Sequence, residues 1–415
     1  MEMLSVSQAA QKWKLSVRTV QNLCKASKIP GAALFGRSWM IPADAQRPID
    51  GRTVAGKAIK QQKAFYEPLI RKTPFLDMTD LYRVPGSADE VAESLAPHPE
   101  AQALFSAEIT YSRGQIDKVY EYANLFLSSQ SGFYAIISGS MLLGLCAIWK
   151  GDVQLWYKAK RHLYEASWRN ETDRDILQLT LAAMDSAIRD TRDFPDWFAR
   201  GCFDSLPRDS HPAARVYYIK YLLILAQDYA LENADAKHSR PTGIISILPY
   251  TIEPMISQMV ADKIVVAEIY LRLMCAIAYH QAGDDARGSI HLDKAIRLCL
   301  PDKLYGPLIE HRRQLGLFLD DRLALIDPEA LKTVKALHKQ LLTGWTRLHN
   351  TVLERSVQIS LSMREREVAR LAAFGLSNQA IAKQLHLSEY TVISLVNSAK
   401  NKTGVDNRAD LGLYI

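Results

Sequence analysis

At 415 residues, 48% of them apolar and 23% charged, the chain is long enough for roughly two to four domains with buried cores, and its composition excludes a disordered or fibrous protein. The net charge of +6 is unevenly spread: residues 1–63 carry seven Lys and four Arg against Glu2, Asp44 and Asp50, a net +8, residues 361–415 a net +2, and the stretch between them a net −4. A basic head on an acidic body points to a polyanionic partner for the head, because Lys and Arg gain by displacing counterions from phosphates.

Five scattered cysteines (Cys24, Cys146, Cys202, Cys275, Cys299), an odd number without a C-x-x-C pair, read as free thiols in a reducing compartment. Ten histidines form no H-E-x-x-H or paired metal spacing, so no metal and no cofactor is assigned. The N-terminus has no basic segment leading into an apolar one, so no secretory signal is expected. The uncharged stretch from Asn124 to Trp149 is diluted by Ser128, Ser129, Ser131, Ser138 and Ser140 and reads as a buried helix rather than a membrane span. A cytoplasmic protein with no membrane partner is therefore expected.

In chain order, the first element is a helix opened by Ser5, with Gln8 at capping-box spacing. It leads into Ala10-Gln-Lys-Trp13-Lys-Leu15-Ser16-Val-Arg-Thr19-Val20. The small Ala10 allows close helix approach, Trp13 fills the core, Leu15 plugs the turn, Ser16 caps the next helix, and Val20 packs back on the alanine. That is a helix-turn-helix pattern. Its second helix is expected to expose Val17, Arg18, Gln21, Asn22 and Lys25, and these include side chains that bond guanine (Arg) and adenine (Gln, Asn) in a major groove. Two short strands then flank a Gly36-Arg37 turn between Ile29 and Pro42, a wing with Arg37 at its tip for phosphate or the minor groove. Over about residues 3–52 the sequence resembles the MerR and excisionase-like winged helix-turn-helix family, which implies DNA binding.

Gly51-Arg-Thr-Val-Ala-Gly56-Lys57-Ala58 matches the start of a phosphate-binding loop, but Ala58 stands where the magnesium-binding hydroxyl is needed and no apolar strand precedes it. It reads as a basic exit from the first domain. No nucleophile elbow, Cys-His pairing or paired acidic motif stands out, so no enzyme is expected.

From about Glu100 to Asn350 apolar residues recur at spacings of three and four, the mark of helices. Three stretches look alike, each an amphipathic helix that ends at a glycine (Gly114, Gly151, Gly283) and restarts as a second helix with alanine at the contact (Ala123, Ala159, Ala295). These resemble tetratricopeptide-type hairpins, whose neighbours bury one another's faces. The last, running into Pro301 and Arg312-Arg313, resembles the repeat region of large LuxR-type regulators of the maltose-activator class. That resemblance implies a concave surface for an unknown ligand or protein.

At the C-terminus, Ala382-Lys-Gln-Leu385-His-Leu387-Ser388-Glu-Tyr-Thr391-Val392 repeats the N-terminal pattern at identical spacing. It is preceded by Leu361-Ser-Met-Arg-Glu-Arg-Glu-Val-Ala-Arg-Leu-Ala-Ala-Phe-Gly-Leu-Ser-Asn378, with Ser362 and Glu365 at capping-box spacing and Gly375 ending a helix. Through REREVARLAAFGLSNQAIAKQL, TV and TGV the last 55 or so residues resemble the four-helix DNA-binding domain of LuxR-type regulators. The family usually carries Lys directly after the Thr-Val pair and His two residues later, where this chain has Ile393 and Leu395. Helical spacing turns Val392, Val396 and Ala399 inward and Glu389, Tyr390, Ile393, Ser394, Asn397 and Lys400 outward. Thr403 stands where the family has an apolar residue, which is expected to loosen the last turn. Lys383, Tyr390, Asn397 and Lys400 are the candidate contacts here, with dimerisation or a contact to RNA polymerase as the other role for this domain.

These readings combine into a mainly α protein: a winged helix-turn-helix at 1–56, a basic connecting segment at 57–99, a tetratricopeptide-like helical solenoid at 100–350 and a four-helix LuxR-type helix-turn-helix at 351–415. The expected function is sequence-specific binding of double-stranded DNA as a transcriptional regulator, as a homodimer because one helix-turn-helix buries too little surface to be tight and specific. The alternative is a helical-repeat scaffold that binds proteins and has lost DNA binding at its C-terminal domain.

Overall fold

A computed structural model describes residues 3–25, 29, 31–36, 38–43, 45, 47, 75–128, 132–232, 244–354, 361, 363–403, 405, 407–409 and 411. The phosphate-loop-like segment, Arg37 and Ser362 lie outside the described residues. The chain divides into two compact units, residues 1–68 and 69–415.

In the first unit, β1 (Met3–Ser5) leads directly into α1 (Val6–Trp13), followed by α2 (Val17–Lys25), β2 (Ala33–Phe35) and β3 (Ser38–Pro42). The capping box at the start of α1 is complete: Gln8 N–H donates to Ser5 Oγ (3.3 Å) and Ser5 N–H to Gln8 Oε1 (2.8 Å). β2 and β3 form the expected hairpin with Leu34 opposite Trp39, turning at Gly36, whose φ of +62° suits a residue without Cβ. β1 pairs antiparallel with the far edge of β3, Leu4 opposite Ile41, making a three-stranded sheet in the order β1-β3-β2. The core is Val6, Ala9, Ala10, Trp13, Val20, Cys24, Ile29 and Ile41.

In the second unit a 3-10 turn (Leu76–Met78) and α3 (Ala88–Ser94) precede a run of hairpins. These are α4 (Pro99–Ser112) with α5 (Ile116–Ser128), α6 (Phe133–Lys150) with α7 (Val153–Glu165), then α8 (Glu171–Ala187), short α9 (Asp196–Ala199), α10 (His211–Glu232), α11 (Ile244–Asp262), and α12 (Val265–Gln281) with α13 (Asp285–Cys299). Gly114, Gly151 and Gly283 all adopt positive φ where the helices turn, as the sequence pattern requires. Asp152 and Asp284 cap the following helices by accepting from the N–H groups of Leu155 (2.9 Å) and Arg287 (3.0 Å).

The region is less open than a simple stack of repeats. After α14 (Gly306–Leu315) and α15 (Leu317–Ile326), the long α16 (Pro328–Leu353) returns and packs on α6, an element far earlier in the chain. The crossing is backbone on backbone: a Cβ added at Gly344 would run into the carbonyl oxygens of Ile148 and Trp149. Nearby, Trp345 Nε1 donates to Ala187 O (2.7 Å) and the His349 ring lies 2.6 Å from Ile188 O. Residues 75–95, read from sequence as part of a connecting segment, are also packed into this unit. Tyr82 Oη donates to Asp302 Oδ2 (2.5 Å), which also accepts from Gly86 N–H (2.5 Å).

Helices α6 and α11 are both long and apolar enough to cross a membrane by length and composition. The apolar window of α6, which holds most of the uncharged stretch, is 72% buried within the protein, as a core helix should be, whereas that of α11 is 33% buried.

The last elements are α17 (Met363–Ala373), α18 (Asn378–Leu385) and α19 (Glu389–Thr403), around a core of Val368, Ala369, Ala372, Ile381, Ala382, Val392, Val396, Ala399, Val405 and Leu411. Thr403 does not loosen this packing. It is buried with its hydroxyl donating to Ala399 O (2.8 Å), so the polar atom is satisfied within the helix.

Because nothing but hydrogen fits at Gly344, Gly344→Ala is expected to lower stability by about 2 kcal/mol, read as a drop in thermal midpoint, through overpacking of the α6–α16 crossing.

Candidate nucleic-acid interface

The two helix-turn-helix units match bond for bond. At the end of the first helix, Lys14 (φ +55°) and His386 (φ +54°) both enter the left-handed region. Leu15 N–H donates to Ala10 O (2.9 Å) and Leu387 N–H to Ala382 O (3.0 Å), closing the turn. Ser16 and Ser388 then accept from the N–H groups of Thr19 (3.1 Å) and Thr391 (3.0 Å), and each serine hydroxyl is 2.7 Å from its threonine hydroxyl. Val20 and Val392 are fully buried behind these caps. One sequence pattern has produced one local geometry twice.

On α2 the side chains Val17, Arg18, Gln21, Asn22 and Lys25 are all exposed, while Val20 and Cys24 face the core. The helix thus presents one continuous polar and basic face, the arrangement that groove reading needs. Lys12, on the preceding helix, is engaged within the domain, where its Nζ donates to Ala43 O (2.5 Å) and ties α1 to the end of the wing.

On α19 the result is mixed. Tyr390, near its start, is 82% exposed and Ile393 is 40% exposed, with Glu389 and Ser394 beside them. Asn397 and Lys400 are half-buried and share with Ile393 and Val396 a shallow hollow of about 290 Å³, completed by Asn378, Asn407 and Arg408. Lys383, exposed in the last turn of α18, stands outside that group. Parts of α19 and α14 approach within 8 Å, Cα to Cα, so the second helix of this helix-turn-helix lies beside the preceding helical region.

Arg408 was not singled out from sequence. Its guanidinium donates to Leu376 O (2.5 Å), Asn378 Oδ1 (3.1 Å) and Ala372 O (3.4 Å), fixing the α17–α18 turn to the C-terminal segment. A basic residue beyond the last helix is indistinguishable in sequence from a surface charge, so only the folded geometry identifies this role. Glu365 is likewise buried and accepts from Ser398 Oγ (2.5 Å), linking α17 to α19.

Residues 359–415 match the family model for bacterial regulatory proteins, luxR family. The chain ends in a LuxR-family helix-turn-helix domain. Residues 3–45 match the model for a helix-turn-helix domain, and no curated protein or solved structure matches the chain. The two matched domains support a DNA-binding transcriptional regulator, and the LuxR-type domain is typically found in non-enzymatic proteins.

Between these ends the helical region holds a dense set of buried polar groups. Asp77 N–H donates to Glu108 Oε2 (2.9 Å), and the hydroxyls of Tyr111 and Tyr270 both donate to Glu310 Oε1 (2.9 and 3.1 Å). Burial pushes the Asp77 carboxyl up to about 6 and Glu108 well above its ordinary value, the neighbouring Asp77 carboxylate adding to the shift in Glu108. The same burial pushes Lys220 down. A cavity of about 40 Å³ against Asp77, Glu108, Tyr111 and Tyr270 is large enough for a water but not for a metabolite. The larger hollow of about 880 Å³, lined by Phe133, Tyr134, Arg169, Asn170 and Asp173 among others, is an open groove. Among the described residues, one group has spacing suited to a metal ion: Glu253, Cys275 and His291.

Two outcomes follow from this geometry. Arg408→Met is expected to lower the stability of the C-terminal domain by about 2 kcal/mol, because it leaves three acceptors without their charged donor, and melting of the variant checks it. Asp77 carries a raised folded-state pKa, so its burial costs nothing below pH 4, and stability falls as the pH rises through 6 and the folded state must ionise it. Asp77→Asn lacks that cost, so its thermal midpoint should rise relative to the parent protein between pH 4 and 7.

Proposed function

We propose that this chain is a cytoplasmic transcriptional regulator that reads double-stranded DNA as a homodimer, with its helical region taking the regulatory input. The observation that carries the reading is the α2 face, where Arg18, Gln21, Asn22 and Lys25 stand exposed on a correctly capped second helix in the most basic part of the chain. In this reading Arg18 and Asn22 contact base edges, Gln21 supports them, and Lys25 meets phosphate, with Val17 against a thymine methyl. Arg37 is assigned to the wing contact on sequence grounds alone.

The C-terminal domain has a weaker set. Lys383 and Lys400 supply phosphate contacts and Tyr390 and Asn397 polar ones, while Ile393 offers a thymine methyl only apolar contact. Proximity of α14 to α19 supports a regulatory role for the repeats, since a ligand or protein partner that favoured one arrangement of that contact would alter access to the reading helix. RNA polymerase is a candidate partner for the exposed Tyr390 and Ile393. These same apolar side chains favour the second reading, a C-terminal domain that binds protein and has given up DNA.

Selection of genomic duplexes by the intact protein at two salt concentrations distinguishes the readings. Arg18→Ala and Asn22→Ala are each expected to cost about 1–3 kcal/mol of affinity and to relax sequence preference. Ile393→Lys should tighten binding and steepen the salt dependence by about one phosphate contact if the C-terminal domain faces DNA. Selection unaffected by all three variants, or no selection by the parent protein, would sink the DNA-reading assignment and favour the scaffold.

A further inference from the structure

Helices α11, α12 and α13 bring together three side chains that no motif connects in sequence. Glu253 on α11, Cys275 on α12 and His291 on α13 place a carboxylate oxygen, a sulfur and a ring nitrogen within 4.8 Å of one another. Glu253 Oε1 and His291 Nε2 are 3.5 Å apart, close to the ~3.3–3.8 Å separation of two ligands on a tetrahedral ion with bonds of about 2.0–2.3 Å.

The surroundings hold these groups in place. Tyr279 donates its hydroxyl to Glu253 Oε1 (2.6 Å), and its ring stacks on that of His291 at 5.8 Å between centroids, so one residue orients two of the three. The Cys275 thiol is free and fully buried, and His291 Nδ1 is buried with no hydrogen-bond partner.

Charge also fits. The nearby cations are already paired, Arg272 with Glu268 and Arg287 with Asp284, both at 2.6 Å. A carboxylate and a thiolate then balance one dication, the thiol proton passing to solvent as the sulfur binds. Sulfur and imidazole donors select a borderline transition ion over magnesium or calcium, which take oxygen ligands. Side-chain exposure falls from 43% at Glu253 to 13% at His291, so an ion held by the three groups would have its open position on the Glu253 side, within reach of solvent.

We propose that Glu253, Cys275 and His291 form a three-ligand site for a single zinc-class divalent ion that clamps α11 to the α12–α13 hairpin.

The test uses intact, tag-free protein stripped with chelator and titrated with Co²⁺ and then Zn²⁺. One equivalent of Co²⁺ should give tetrahedral-site absorption with a thiolate charge-transfer band that Zn²⁺ abolishes by displacement. Cys275→Ser should remove the charge-transfer band, and His291→Gln and Glu253→Gln should each weaken binding at least tenfold. Exposed Cys202→Ser should change nothing, and Zn²⁺ should raise the thermal midpoint of the parent protein but not of Cys275→Ser. Absence of a stoichiometric band in the parent, or a band that persists in folded Cys275→Ser, overturns the site. If Cys275→Ser fails to fold by circular dichroism, Glu253→Gln decides, because undiminished affinity in that folded, solvent-side variant overturns it equally.

Discussion

The large helical unit depends on one close approach, the crossing of α16 over α6 at Gly344. Stacked helical hairpins bury only their neighbours' faces, so their stability is local and the ends are free to move. By returning across the stack, α16 adds contacts between elements nearly two hundred residues apart in sequence. The approach is possible because Gly344 presents no side chain to the carbonyls of Ile148 and Trp149. It is then fastened by Trp345 and His349, whose ring nitrogens reach the carbonyls of Ala187 and Ile188 at the end of α8. The three elements become one body through backbone acceptors at helix ends, which would otherwise need water.

How far the fold could be read in sequence follows from the range of the interactions involved. Both helix-turn-helix units were legible because every decisive bond joins residues within six positions: Ser16 to Thr19, Leu15 to Ala10, and their counterparts. The glycine-ended hairpins were legible for the same reason. Strand β1 was not, since three residues carry no period and their partners on β3 lie beyond the whole helix-turn-helix in sequence. The packing of residues 75–95 escaped as well, because Tyr82 and Gly86 find Asp302 across more than two hundred residues. The expectation for Thr403 failed on chemistry rather than range, as a hydroxyl that donates back along its own helix can occupy an apolar position.

The candidate contacts divide along the same line. Outward positions on α2 follow from helical period once its cap is fixed, so Val17, Arg18, Gln21, Asn22 and Lys25 were available to sequence reasoning. On α19 the period gave the face, but not that Asn397 and Lys400 would be half-buried beside Arg408. That depends on a C-terminal segment returning over the domain, held by three hydrogen bonds from one guanidinium.

α14 is where the long-range parts of the second unit meet, and three of four consecutive side chains on it reach different elements. Glu310 receives hydroxyls from α4 and α12, His311 bonds back to Pro307, Arg312 makes a buried bidentate pair with Asp320 on α15, and Arg313 lies over the Trp345 ring of α16. A buried pair of this kind tolerates little displacement, since losing either partner strands a charge. α19 lies beside the same helix, so α14 touches α4, α12, α15, α16 and the C-terminal domain at once. Tyr270 and Cys275 stand on α12 barely more than a turn apart, so the buried tyrosine–glutamate bonds and the Glu253–Cys275–His291 cluster share one rigid element. From α12 to α19 the structure thus offers a contiguous line of packed groups, Tyr270 to Glu310 by a hydrogen bond and α14 to α19 by close approach of their backbones.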